Sequence, residues 1–143
     1  MSTTPYTVTT DKSRMDVAAI HAFLTQTYWS PGIPLHIVQR ALDNSVCFAV
    51  LLGDKQVGFA RVVTDKATFG YLADVYVLQA HRGQGLGRAL MDAVVAHPEL
   101  QGLRRFMLAT RDAHGLYAQY GFTPLSNPAR IMECLKPDVY RQA

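Results

Sequence analysis

Apolar residues fall in short runs along the chain, divided by turn residues, with strand and helix periods interleaved. Tyr6-Thr7-Val8-Thr9-Thr10 is β-prone and predicts a first strand. Ser13 is placed to cap a helix, with Asp16 three residues on as an imperfect capping box, and Val17, Ile20, Leu24 and Tyr28 recur at helical spacing. Ser30-Pro31-Gly32-Ile33-Pro34 breaks that helix, and a second short one is expected over residues 35–42, with Asn44 near its end. Residues 46–52 are almost continuously apolar, Gly53-Asp54 is a turn, and residues 56–64 read as the next strand. Asp65-Lys66-Ala67-Thr68 turns the chain again and residues 69–78 complete an antiparallel meander. Leu86, Leu90 and Val94 then predict a helix that stops near His97-Pro98. Residues 106–109 read as a short strand. Asp112 is placed to cap a last helix over 113–120, with Gly121 at its C′ position. Residues 131–135 predict a final strand. The order β-α-α-β-β-β-α-β-α-β predicts an α/β (α+β) fold: one mixed, mostly antiparallel sheet flanked by about four helices. No repeat, low-complexity stretch or linker interrupts it, so residues 1–143 read as one domain.

Composition narrows the class. Hydrophobic residues make up 49% and charged residues 17%, enough for a core and against wholesale disorder. No apolar run approaches the roughly 18 residues of a membrane span. The first six residues have neither a basic region nor an apolar stretch, so no secretory signal is expected. Cys47 and Cys134 each sit in an apolar run and read as small apolar side chains, which predicts a reducing, cytoplasmic setting. The net charge of +3 arises from ten arginines and four lysines against nine aspartates and two glutamates. Without a Lys/Arg run of five, and with Arg104-Arg105 as the densest pair, no nucleic-acid partner is expected. The guanidinium fork does suit a small polyanion. His21, His36, His81, His97 and His114 lack metal-ligand spacing, and Ser45 lacks a G-x-S-x-G setting, so neither a metal nor a serine nucleophile is expected.

The most informative stretch is Arg82-Gly83-Gln84-Gly85-Leu86-Gly87-Arg88, where a strand runs through three alternate glycines into an amphipathic helix. A helix N-terminus presents unpaired N–H groups and a partial positive charge, and glycine lets the backbone approach an anion. An ordinary first turn carries Asp, Glu, Ser or Thr. Here the first acid is Asp92, while His81, Arg82 and Arg88 crowd the positive end. Each such placement costs about 0.3–1 kcal/mol when exposed, and a bound polyanion reverses the sign. The glycine spacing fails the dinucleotide fingerprint, and Gly-Lys-Ser/Thr is missing.

The loop resembles the R/Q-x-x-G-x-G/A signature of the GNAT (Gcn5-related) N-acetyltransferases. Leu116-Tyr117-Ala118-Gln119-Tyr120-Gly121-Phe122 resembles that family's downstream Tyr-x-x-x-Gly-Phe segment, and the strand Asp74-Val75-Tyr76-Val77 matches in kind. The resemblance implies acetyl-CoA as cosubstrate, with its pyrophosphate on Arg82, Gly83, Gln84, Gly85, Leu86, Gly87 and Arg88. It implies that the pantetheine arm pairs with Val75, Tyr76 and Val77, and that the strand carrying Phe106 splays away to open the cleft. Many members carry asparagine where this chain has Thr110, so a contact made by an amide must pass to a hydroxyl or be lost.

Acetyl transfer to an amine poses two proton problems. An alkylamine of pKa near 10.4 is neutral in about 1 molecule in 2,500 at pH 7, a deficit of roughly 4.6 kcal/mol. The leaving thiolate also needs a donor. The resemblance places Tyr117 in that role, with Tyr120 the better core aromatic. Asp74, a carboxylate in an apolar strand, is the expected base, through water or by holding the substrate ammonium; the alternative is a salt bridge to Arg61. Asp65 and His114 are weaker candidates for the base, Asp112 reads as a helix cap, and Arg111 as a phosphate contact or a solvated side chain. The resemblance implies that Tyr28, Trp29 and the following loop line the acceptor side, with Trp29 as a core residue the alternative, and Asp65 with Asp74 would attract a cation. The expected function is acetyl transfer to a small primary amine by direct attack in a ternary complex. A catalytically idle acyl-CoA sensor and a protein-amine acetyltransferase are the alternatives. No membrane partner is expected, and the protein is read as a monomer or homodimer.

Overall fold

The computed structural model describes residues 5–141. Five strands form a single sheet in the order β1-β2-β3-β4-β5: β1 (Tyr6–Thr9), β2 (Val46–Leu52), β3 (Lys55–Thr64), β4 (Phe69–Val77) and β5 (Arg105–Leu108). Every pairing is antiparallel except β4 with β5. A parallel pair needs a long crossover, which α3 (Leu86–Ala96) supplies.

The sheet is covered on both faces, which explains the unbroken apolar run of β2. Val46, Phe48 and Val50 point into a core shared with Leu90, Met91 and Val94 of α3. Cys47, Ala49 and Leu51 point into a second core under Ile20 and Leu24 of α1 (Val17–Leu24) and Val38 and Leu42 of α2 (Leu35–Asp43). The last helix, α4 (His114–Ala118), lies beyond β5 in sequence, and its Tyr117 joins the α3-side core. No helix among the described residues is long and apolar enough to cross a membrane.

Three local expectations are corrected. Asp16, not Ser13, caps α1, its Oδ1 accepting the Ala19 amide at 3.0 Å; Asp11 takes both the Ser13 amide (2.9 Å) and the Ser13 hydroxyl (2.6 Å). A carboxylate is the stronger acceptor at each position. The helix also stops at Leu24 instead of running to Tyr28, because the Thr27 hydroxyl donates to the Leu24 carbonyl at 2.8 Å. Residues 25–34 become a loop, which carries Tyr28 and Trp29 away from the core. Residues 131–135 form no strand and are exposed, because nothing in the described chain pairs with them.

Candidate active site

The cleft arises where β4 and β5 part. Their register ends at Leu72 opposite Leu108, so residues 73–77 of β4 have no strand neighbour on that side. At the same point the β3–β4 register shifts between Phe59 and Arg61, leaving Asp74 and Val75 opposite a single residue. Asp74 takes φ +56°, a left-handed conformation that costs a non-glycine residue about 1–3 kcal/mol. Bulges of this kind re-aim side chains beside functional sites.

That strain is held by two partners. Arg61 Nε donates to Asp74 Oδ2 at 2.8 Å, and Trp29 Nε1 donates to Asp74 Oδ1 at 2.9 Å. Arg61 also donates to the Ser45 hydroxyl at 3.1 Å. The side chain of Asp74 is 8% exposed. The salt bridge to Arg61 is therefore formed, and both carboxylate oxygens are committed to structure. Trp29 is not core; it stands 42% exposed with its indole N–H fixed by Asp74.

A cavity of about 670 Å³ lies between this strand edge and the chain leading into α4. Tyr28, Trp29, Asp74, Val75, Thr110 and Tyr117 line it, so these sequence candidates share one space. Across its mouth the Arg111 guanidinium sits 3.9 Å from the centre of the Tyr28 ring, an arrangement of cation over aromatic face. Tyr117 is 8% exposed, and burial chiefly, with the Asp112 charge second, raises its phenol above the ordinary value of 10.0. No hydrogen bond engages its hydroxyl among the described residues. The expected division between the two tyrosines is corrected. Tyr117 is the buried one, whereas Tyr120 is partly exposed and donates to Asp92 Oδ1 at 2.7 Å.

Two residues are misread by sequence reasoning. Asp112 does not cap α4; the Thr110 hydroxyl accepts the Ala113 amide at 3.0 Å instead. The Asp112 carboxylate instead lines the cavity, close enough to raise the Tyr117 phenol, and has no ion-pair or hydrogen-bond partner among the described residues. Its signal was the polar Thr110 two residues earlier, a competing acceptor for the Ala113 amide. Asp65 is the opposite error: it belongs to the β3–β4 turn and lies outside the cavity lining. Its carboxylate accepts the Ala67, Thr68 and Phe69 amides and the Thr68 hydroxyl, which holds it below the usual carboxylate range. A turn aspartate closes on its own backbone before it reaches anything else. His114, the first residue of α4, is exposed.

The glycine loop follows β4 directly. Gly83 and Gly85 take φ +79° and +76°, and no atom lies within 4 Å of a Cβ built on either, so the backbone angle alone demands glycine. Gly85 caps α3 with no side-chain bond, and the first intrahelical bond runs from the Ala89 amide to the Gly85 carbonyl at 3.0 Å. The amides of residues 86–88 precede it. Arg82 bends back and donates from Nε to the Val77 carbonyl at 3.0 Å, tying the loop to the strand end. Arg82, Gln84 and Arg88 are exposed and Leu86 is buried. The Tyr76 side chain faces the α1 side, stacked 3.9 Å from Phe23, so only its backbone belongs to the free edge.

The chain matches the family model described as "Acetyltransferase (GNAT) family" over residues 16–122. A GNAT-family protein of Xanthomonas campestris pv. campestris is 56% identical, with a TM-score of 0.93 over 96% of this chain and 97% of its own. An acetyltransferase-family relative from Gibberella zeae is 35% identical over 137 residues, 80% of this chain and 76% of that protein. A structure from Clostridium acetobutylicum that contains acetyl-CoA shares the fold, at 16% identity and a TM-score of 0.65 over 91% of this chain and 94% of that one.

Proposed function

Since the chain belongs to the GNAT family of acetyltransferases, we propose that it moves the acetyl group of acetyl-CoA onto a small primary amine, by direct attack in a ternary complex, with residues 1–143 acting as one domain. The observation that carries this reading is the free edge of β4, with the uncapped α3 N-terminus at its end and the unengaged Tyr117 hydroxyl across from it.

The residues fit the cosubstrate. The amides of residues 83–88 would hold the diphosphate, helped by Arg82 and Arg88, in a loop with open space over Gly83 and Gly85. The unpaired edge at residues 75–77 would meet the pantetheine amides, less the Val77 carbonyl already held by Arg82. Thr110 spends one lone pair on the Ala113 amide and keeps its proton to donate. When bound, acetyl-CoA supplies the reactive thioester carbonyl.

Tyr117 is the proton donor to the leaving sulfur. Burial keeps its phenol protonated through the physiological range, which is the state a donor needs. Asp74 is a positioning residue rather than the base: it fixes Trp29 and Arg61 as a wall of the acceptor cavity. Asp112 takes the role first given to Asp74. Its unpartnered carboxylate attracts the substrate ammonium and accepts its proton, directly or through water. The cytoplasm is the proposed compartment.

The experiment is a thiol-release assay over a panel of small amines and a lysine peptide. Release of CoA that depends on particular small amines supports the reading. Tight acetyl-CoA binding with no turnover across the panel would replace it with an acyl-CoA sensor, and turnover confined to the peptide would move the acceptor to a protein.

A further inference from the structure

Four charged side chains line the cavity beside β4: Arg61, Asp74, Arg111 and Asp112. Two of them neutralise each other, since Arg61 Nε donates to Asp74 Oδ2 at 2.8 Å and the second Asp74 oxygen takes the Trp29 indole N–H. Arg111 and Asp112 have neither an ion-pair nor a hydrogen-bond partner among the described residues. A cavity that keeps one unpaired cation and one unpaired anion complements a ligand that carries both signs of charge.

The two charges serve different ends of that space. Asp112 lies within electrostatic reach of Tyr117, which is 8% exposed. Arg111 lies over Tyr28, which is 57% exposed at the mouth. An amine held by Asp112 is therefore on the Tyr117 side, and the rest of the molecule extends toward Arg111.

Arg111 is also held ready. Its guanidinium sits 3.9 Å from the centre of the Tyr28 ring. Stacking covers one face and leaves the in-plane N–H groups at the edge, a fork that matches an oxyanion. The Tyr28 ring stands edge-on to Trp29, with centroids 5.1 Å apart and planes at 86°. Trp29 in turn is bound to Asp74. The contacts Asp74–Trp29–Tyr28–Arg111 thus fix the fork from β4 outward, a support that a merely solvated arginine lacks. The loop proposed for the diphosphate, residues 82–88, contributes nothing to this lining, so Arg111 belongs with the acceptor and not with the cosubstrate.

We propose that the acceptor is a small amine that also carries an oxyanion, a carboxylate or a phosphate-type group, with Asp112 taking the ammonium and Arg111 the oxyanion. This rests on the acetyl-transfer reading above and narrows its substrate. Arg111 is then a specificity-determining residue: it draws in amino acids and aminophosphonates and repels diamines.

Binding is measured first, without turnover. Calorimetry of the full chain, with and without saturating CoA, compares glycine, β-alanine and 4-aminobutyrate with their carboxamides, and 2-aminoethylphosphonate with ethylamine. At least one oxyanion should bind about tenfold or more tightly than its neutral counterpart, and the phosphonate arm separates a phosphate-type group from a carboxylate. In Arg111→Gln that preference should vanish with Tm unchanged. In Arg111→Lys it should survive in part, because the charge remains while the fork is lost. If no oxyanion binds better than its counterpart, the proposal falls, as it does if the preference persists undiminished in Arg111→Gln. Thiol release on the same panel keeps the two readings apart. Acids that bind through Arg111 yet release no CoA refute acetyl transfer alone, whereas turnover with equal kcat/KM for acids and carboxamides refutes the oxyanion contact alone.

Discussion

Tyr117 combines two properties that usually exclude each other: a ring packed into the core and a hydroxyl with no hydrogen-bond partner among the described residues. Tyr117→Phe keeps the packing and removes only the hydroxyl, the proton donor. It should lower kcat at least tenfold and change acetyl-CoA affinity less than about twofold, as read by thiol release and calorimetry. Because burial lifts the phenol, the alkaline limb of the kcat profile should have its midpoint above the ordinary tyrosine value of 10.0. The carboxylates divide in the same way. On the proposed function, Asp112→Asn should cut kcat/KM for the amine by about tenfold or more, since it removes a charge lining the cavity. Asp74→Asn should lower stability while kcat changes less than about threefold, because asparagine tolerates positive φ and still accepts from Trp29. The reverse ranking would return the base to Asp74. Cys47 makes a different prediction. Desolvation pushes its thiol up to about 11, so the fold favours the neutral form. That contribution is complete below the ordinary value of 9.0 and is lost as pH rises through about 11. Between those limits Tm should fall more steeply in the wild type than in Cys47→Ala, measured by thermal melts in matched buffers.

Loop and helix termini carry most of the legible function. The glycine run before α3 was readable because positive φ is an intrinsic demand that few residue types meet, and Gly83 and Gly85 do adopt it. Gly87 differs: it sits inside α3, and a Cβ there would make ordinary contact, 3.5 Å from Leu116 Cδ2. Gly85→Ala should therefore cost about 1 kcal/mol and lower CoA affinity about tenfold, while Gly87→Ala should leave Tm unchanged or raised. Equal effects in urea melts and CoA titrations would reject this account of the loop. Caps were less legible. Ser13 and Asp112 are good caps by residue type, but Asp16 caps α1, and α4 starts at Ala113 with no side-chain cap, Thr110 holding the Ala113 amide just before it. A cap is chosen by competition among neighbouring acceptors, and the outcome depends on where the preceding chain is held. The strand expected at residues 131–135 shows the same dependence: the stretch is apolar, but a strand exists only beside an edge.

Both cores share one sheet, with β2 contributing alternate residues to each: Phe48 toward α3, Cys47 and Ala49 toward α1 and α2. Phe48 and, on β3, Phe59 are fully buried on opposite faces. Phe48→Ala and Phe59→Ala should each cost about 3–5 kcal/mol. Each should leave one transition, coincident by fluorescence and circular dichroism, because neither face can melt without the strands between them. Two separated transitions would divide the molecule. The first five strands, the meander and the glycine loop were all present in the linear pattern. They follow from period, turn chemistry and φ demands, which act over a few neighbouring residues. The bulge at Asp74, its capture by Arg61 and Trp29, the release of Asp112 into the cavity and the removal of Asp65 from it were not. Each turns on which of several competent partners comes within 3 Å, and for residues 13 to 45 positions apart that distance is set by how the strands register and part, not by local preference.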